Sequence, residues 1–319
     1  MSKYRRALPQ MAGKLCVTDG GLETVLVFQK GIEIAEFAAV DLMRRPEGPS
    51  ILDDYAQPYL DIALRNRLGL VFESATWRAS RDWAPKIGFA DEAELADANR
   101  EAVELVASMR AGHETPDTPI VISGCIGPRG DGYDPGKIMS VGEAQDYHAF
   151  QVGIFAASPC DLVSAITMTN ANEALGIVNA AKAARMPVVI SFTVETDGRL
   201  PTGQDLGDAI AEVDAATDAY AAYYMINCAH PTHFAETISS GGTWVSRLRG
   251  VRANASKCSH AELDNSETLD TGDPAELGRE MAAIRRHLPH ITVLGGCCGT
   301  DHRHIGEIAT QIAGLGNAA

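Results

Sequence analysis

Short apolar runs alternate with longer amphipathic stretches along the whole 319-residue chain. The apolar runs predict strands at 14–18, 69–74, 120–123, 162–165, 188–192, 223–226, 247–251 and 292–294. Between them, apolar residues return at three- and four-residue spacing and predict helices at 51–67, 92–111, 141–157, 171–184, 206–219, 233–240, 274–287 and 304–315. Val103, Val106 and Met109, ending before Gly112, form one such stripe. Eight strands each followed by a helix, over more than ~250 residues, is the pattern of a (β/α)8 TIM barrel. A doubly wound open sheet is the structural alternative, disfavoured because no Gly-x-Gly-x-x-Gly opens a helix after the first strand. No Pro/Ser-rich linker, low-complexity tract or short repeat interrupts the pattern. Residues 1–319 are therefore expected to form one domain with its core at about 13–312.

The polar residues that break this pattern sit just past the carboxyl ends of the strands. Strand one runs into Asp19-Gly20-Gly21-Leu22-Glu23, and strand two carries Glu73 and Ser74 before Thr76-Trp77-Arg78. Strand three runs into Gly124-Cys125-Ile126-Gly127-Pro128. Strand six ends at Asn227-Cys228-Ala229-His230-Pro231, and strand eight at Gly295-Gly296-Cys297-Cys298-Gly299. In a barrel these ends share one rim, so Cys228 meets Cys297 and Cys298 although they are distant in sequence. Adjacent cysteines do not readily close a relaxed disulfide on each other. Three thiolates with an open fourth position are instead the expected ligands of one reactive zinc ion per chain, at the C-terminal rim of the strands. Zinc held this way takes a substrate thiol as its fourth ligand and keeps it deprotonated, whereas a free thiol with a pKa near ~8.5 is mostly protonated at neutral pH. The product is a sulfur nucleophile able to attack a methyl group in line.

Composition narrows the picture. Seven cysteines, two of them adjacent, fit reduced thiols or a metal site better than a secreted disulfide frame. The first residues, Met1-Ser2-Lys3-Tyr4-Arg5-Arg6, are basic but lead into no apolar signal core, and no apolar run reaches the ~18 residues of a membrane span. A cytoplasmic location is expected. The net charge of −15 argues against nucleic acid or an anionic membrane as partner. The expected partners are a small thiol acceptor and a methyl donor, with homo-oligomerisation left open.

Gly295-Gly296-Cys297-Cys298-Gly299-Thr300, the upstream Asn227-Cys228, the opening Asp19-Gly20-Gly21-Leu22-Glu23-Thr24 and the Ser-Gly-Cys-Ile-Gly-Pro run at 123–128 together resemble the homocysteine S-methyltransferase family. That family is a zinc-bearing barrel and includes the betaine– and S-methylmethionine–homocysteine methyltransferases. The resemblance runs from about residue 13 to 312. It implies Cys228, Cys297 and Cys298 as zinc ligands, acting in catalysis through the metal, and Asp19 with the Gly20–Gly21 backbone as the place where the thiol amino acid binds. Further expected substrate contacts are Glu23, Glu73, Trp77, Arg78, Thr167, Asn227 and Asn254; Ser191, Phe192 and Thr193 also fall on family-like positions. The implied reaction moves a methyl group from a small sulfonium or quaternary ammonium donor to homocysteine, giving methionine.

The chain also departs from the family pattern. Where the end of strand four usually reads Glu-Thr, with the acid holding the homocysteine amino group, this chain has Ile166-Thr167. Loss of that charge-assisted bond costs about 1.5–3 kcal/mol unless Glu73 or Glu195 replaces it. Trp77 offers an aromatic face suited to a methyl-cation donor, and Arg78 beside it suits a carboxylate. Three alternatives follow: the same chemistry on another small thiol, a homocysteine module fed by a separate corrinoid protein, and a zinc- or thiol-binding barrel without transferase activity. Cys16, Cys125, Cys160 and Cys258 read as non-ligands, since a free cysteine is often simply a packing residue. His230 and His233 read as non-ligands too, His302 and His304 as solvent-facing residues of the last helix, and Trp83 as either packing or a wall of the donor site.

Overall fold

The computed structural model describes residues 2–239, 241–266 and 268–316. Met1, Ser240, Glu267 and residues 317–319 lie outside them, and with them the last residue of the helix expected at 233–240 and both ends of the span 1–319. Eight parallel strands close into a barrel in sequential order. They are β1 (Cys16–Val17), β2 (Gly69–Glu73), β3 (Ile120–Ile126), β4 (Leu162–Met168), β5 (Val188–Thr193), β6 (Tyr223–Asn227), β7 (Leu248–Ala253) and β8 (Val293–Gly296). Closure comes from β1 pairing with β8, Cys16 opposite Val293 and Val17 opposite Leu294. The outer helices are α1 (Gly48–Asn66), α2 (Glu92–His113), α3 (Val141–Ala156), α4 (Ala171–Ala184), α5 (Leu206–Thr217), α6 (Pro231–Ser239), α7 (Pro274–His287) and α8 (His302–Ala313). Each expected strand and helix is present, with ends displaced by a few residues. Among the described residues no helix is long and apolar enough to cross a membrane.

Strand residues alternate between two buried faces, as parallel strands covered on both sides must. Leu70, Phe72, Ile120, Ile122, Val163, Ile190, Ile226 and Leu294 face outward into the core shared with the helices. Cys16, Val71, Val121, Leu162, Val189, Met225 and Val293 point inward and fill the barrel, and Leu8 from the N-terminal segment packs against their lower end. Toward the carboxyl ends the interior turns polar. The Ser123 and Ser164 hydroxyls lie 2.7 Å apart, and Ser191 Oγ donates to Asn227 Oδ1 at 2.6 Å. This polar layer is the floor of the site.

Two stretches differ from the sequence expectation. No strand or helix is expected between residues 18 and 51, but 22–44 fold into short helical turns at Leu22–Thr24, Val25–Gln29, Ala35–Phe37 and Ala39–Arg44, with Glu36 and Phe37 in the left-handed region. His304 is not solvent-facing: it is fully buried, with Nδ1 3.1 Å from the Asp301 backbone N and 3.2 Å from Asp301 Oδ1, and Nε2 2.7 Å from the Thr271 carbonyl oxygen. His302 is exposed as expected.

Candidate metal centre and active site

Cys228 follows β6, while Cys297 and Cys298 follow β8, and their three sulfurs lie within 4.8 Å of one another. Cys228 Sγ is 3.9 Å from Cys298 Sγ. A tetrahedral ion with Zn–S bonds of ~2.3 Å needs sulfurs about 3.8 Å apart, so the three fit one ion of that size and softness. The backbone holds them there. Cys297 N–H donates to Ala253 O at 2.8 Å, Ala255 N–H to Cys298 O at 3.1 Å, and Cys228 N–H to Arg252 O at 3.2 Å. Cys228 itself sits at φ +52°, as Thr167 does at +67°, and non-glycine residues in this region mark local strain of the kind concentrated at functional sites. Gly21 explains the Asp-Gly-Gly motif: a Cβ there would lie 2.6 Å from the Cys297 carbonyl oxygen, so only glycine lets the β1 loop approach the paired cysteines. The Cys297 and Cys298 thiols beside Cys228 hold its pKa well below the ordinary thiol range, and Cys228 in turn pushes theirs up.

Asn227 and Thr167 brace this cluster from beneath. Asn227 Oδ1 accepts Thr167 N–H at 2.9 Å, its Nδ2 donates to Thr167 Oγ1 at 2.8 Å, and Thr167 Oγ1 lies 3.7 Å from Cys228 Sγ. The β4 register shifts between Ala165 and Met168, which is what turns Thr167 toward the sulfurs. Two aromatic residues that sequence reasoning missed complete the surroundings. Tyr133 Oη lies 3.4 Å from Cys298 Sγ, and its ring stacks on His260 at 4.0 Å. His260 in turn sets Nε2 2.6 Å from the Cys228 carbonyl and Nδ1 3.1 Å from Glu195.

Next to the sulfurs lies a buried charge cluster centred on Arg252, also missed. Its Nη2 donates to Asp19 Oδ1 at 2.6 Å, its Nε to Gly296 O at 3.1 Å, and its Nη1 is 3.3 Å from Glu73 Oε1. Tyr55 Oη donates to the other Asp19 oxygen at 3.0 Å. Burial pushes the Asp19 and Glu73 carboxyls up while Arg252 pulls them back, and the two acids keep the guanidinium charged. Asp19 thus anchors a buried ion pair.

These groups open on a cavity of about 440 Å³ at the strands' carboxyl ends. Asp19, Gly20, Gly21, Glu23 and Glu73 line one part of it, Trp77, Arg78, Ile166 and Thr167 another, and the three cysteines a third; Cys125 and Tyr133 reach it too. Asn227 and Asn254 do not line it: both are buried behind the wall. Glu195 is absent from the lining and engaged by His260. Arg78 lies between Trp77 and Trp83, 4.9 and 4.1 Å from the ring centres, and pairs with Asp131 at 3.6 Å. Trp77 donates to Ile166 O at 3.2 Å, whereas Trp83 is buried, donates to Arg129 O at 3.1 Å and is packing, not a cavity wall. His230 is buried, with Nε2 3.3 Å from Glu280, and stands outside the thiol cluster.

A family model described as homocysteine S-methyltransferase matches residues 16–312. No curated protein matches the sequence. Among solved structures, the oxidized form of the homocysteine methyltransferase MmuM from Escherichia coli superposes with a TM-score of 0.77 at 19% identity, over 97% of this chain and 100% of that one. The metallated form of the same enzyme gives 0.70 at 20% identity over 96% and 99%, and the apo form 0.66 at 21% over 96% and 98%. At such identities the structural likeness is one of fold.

Proposed function

We infer the reaction from the family to which this chain belongs, the homocysteine S-methyltransferases, and from what its cavity offers: a methyltransferase that alkylates homocysteine, with a small sulfonium or quaternary ammonium compound as donor. The observation that carries the reading is the convergence of Cys228, Cys297 and Cys298 on one side of the cavity at the strands' carboxyl ends. A zinc ion on these sulfurs would supply a soft Lewis acid that lowers the pKa of an incoming thiol. The chain's own residues do the rest. Asn227 and Thr167 fix the cysteine loops, while Arg252 holds Asp19 beside the acceptor position. The Gly20–Gly21 backbone lines the cavity beside the cysteines, where it can face the acceptor's main-chain atoms, and Trp77 gives the donor an aromatic face. Holding the two reactants in line converts a two-body encounter into an intramolecular step, a large share of the rate enhancement.

A second reading keeps the chemistry and changes the acceptor to another small thiol. It is favoured by Ile166, an apolar residue in the cavity wall. Both readings meet one experiment. Zinc-loaded protein is given homocysteine and, in separate reactions, S-methylmethionine, glycine betaine or S-adenosylmethionine. Methionine from one donor establishes the first reading; no methionine at one zinc per chain, with turnover of a different thiol, establishes the second. Cys228→Ala, Cys297→Ala and Cys298→Ala are each expected to lose zinc and at least ~100-fold in activity together. Full zinc retention in one of them removes that residue from the site.

A further inference from the structure

Glu73 ends β2 with its side chain 7% exposed, in the top interior layer of the barrel. One carboxylate oxygen, Oε1, faces Arg252. The other, Oε2, is buried and has no hydrogen-bond partner. A buried acceptor left unpaired is costly, about 1–3 kcal/mol and more for a charged group, so such an oxygen at a cavity wall marks the place of an absent donor. The donors beside Glu73, the Cys125 thiol and the Ser164 hydroxyl that also faces Ser123, are neutral and carry no charge to offset the carboxylate's, and no cation fills the role. Arg252 is spent on Asp19, Gly296 and one Glu73 oxygen. Arg78 is committed to Asp131 and its two tryptophans.

Charge points the same way. Asp19 and Glu73 share a single guanidinium, leaving one negative charge in excess in a desolvated pocket. The missing group is therefore a cation, and it must carry N–H bonds. A sulfonium or quaternary ammonium centre has none and cannot satisfy a carboxylate lone pair, whereas a primary ammonium has three. The neighbouring wall at Ile166 is apolar; the cavity's other acid without an ion-pair partner among the described residues, Glu23, stands apart on the β1 loop beside Cys297.

Resting on the reading of this site as that of a thiol methyltransferase, we propose that Glu73 Oε2 holds the ammonium group of an amino-acid thiol acceptor, so that acceptor selectivity resides on β2. Glu73 would act as a specificity residue. It takes no part in the transfer itself, and its signature is a difference between thiols with and without the amino group.

The test is binding, without any donor. Cobalt-substituted protein is titrated with homocysteine and with 4-mercaptobutanoate, its des-amino analogue, following the thiolate-to-cobalt charge-transfer band. Wild type is expected to bind homocysteine at least about tenfold more tightly. Glu73→Gln, which keeps the shape and an oxygen for Arg252, is expected to bring the ratio close to one while leaving 4-mercaptobutanoate unchanged. Placing an acid across the wall in the double variant Glu73→Gln/Ile166→Glu is expected to restore the preference. Equal binding of both thiols by wild type overturns the proposal whether or not the variants fold, and so does an unchanged ratio in Glu73→Gln. Failure of either thiol to perturb the wild-type spectrum is a different result: it removes the thiol-acceptor reading itself.

Discussion

Glu23 lines the cavity with no ion-pair partner among the described residues. Burial pushes its carboxyl from 4.5 up to about 7, and nearby Cys297 and Asp19 add to the effect. An acid whose folded pKa lies above its unfolded one binds more protons in the native state. The stability this confers is present at low pH and is lost as pH rises from about 4.5 to about 7. Glu23→Gln cannot ionise and lacks this one contribution to the pH dependence over that window. The variant is expected to be more stable than wild type by about 1–2 kcal/mol at pH ~8, allowing for the residue's partial exposure, and nearly equal to it at pH ~4.5. Thermal melting of both proteins across the window checks this, and parallel curves would mean that Glu23 ionises freely. At this scale the site was only partly legible. Cys228, Cys297 and Cys298 stood out because adjacent cysteines among glycines have few structural uses. Arg252 did not, because the apolar run of β7 stops one residue before it and an arginine past a strand end reads as solvated. Only the opposing positions of Asp19 and Glu73, set by barrel register, make it an interior residue.

The turn from β8 into α8 shows how an element holds the site. Gly295 has no room for a side chain, since a Cβ would lie 1.9 Å from Thr18 Oγ1. Thr300 closes the cysteine turn by donating from both N–H and Oγ1 to Cys297 O, at 3.1 and 2.7 Å. Asp301 then caps α8, accepting Arg303 N–H at 2.9 Å and Gln29 Nε2 at 3.0 Å. Burial pushes its carboxyl up, but bonds from His304, Arg303 and Gln29 win and hold it well below the usual carboxylate range. A depressed carboxylate stabilises the fold above its unfolded pKa and loses that contribution as pH falls through its folded one. Asp301→Ala should therefore cost about 2 kcal/mol at neutral pH, from the lost cap and the unpaired groups left behind, with a gap to wild type that narrows below pH ~4. Urea denaturation at pH ~7 and ~3 measures both; a pH-independent gap would mean that the carboxylate's charge contributes nothing. Elements with strong periodicity were the readable ones, and α4 and α7 fall on their expected residues, 171–184 and 274–287. The stretch at 22–44 was opaque because its short turns are stabilised by packing of Leu26, Ala39 and Leu42 against Leu52 and not by any repeat of their own. Tyr133 was equally hidden, as an aromatic in an aperiodic loop carries no signal of what it touches.

Taken whole, the barrel separates chemistry from stability by its two ends. The sulfurs, the Arg252 cluster and the cavity occupy the carboxyl end of the strands. The amino end is closed by the N-terminal segment, whose role no motif announced. Lys3 and Tyr4 backbone N–H groups each donate to Asp161 Oδ1 at 2.7 Å, and Arg5 reaches the Cys160 and Ala156 carbonyls at 2.7 and 3.0 Å. Gln10 donates to Tyr223 Oη at 3.2 Å and accepts Thr292 Oγ1 on its carbonyl at 2.9 Å, while Leu8 covers the lowest interior layer. Asp161 is fully buried, and Arg110 and Ile122 N–H would remain its partners if the segment were gone. Removing residues 2–11 thus takes away the two bonds to the Asp161 carboxylate, the Arg5 bonds to backbone carbonyls and one buried leucine, a loss of at least about 4–6 kcal/mol. The sulfur cluster makes none of these contacts, so the truncated protein is expected to keep one metal ion per chain at low temperature while its denaturation midpoint falls sharply. Metal stoichiometry and urea midpoint, measured on the same sample, separate the two ends. A truncated protein that unfolds like wild type but no longer holds metal would mean that the plug supports the rim and that the division of labour between the ends does not hold in this chain.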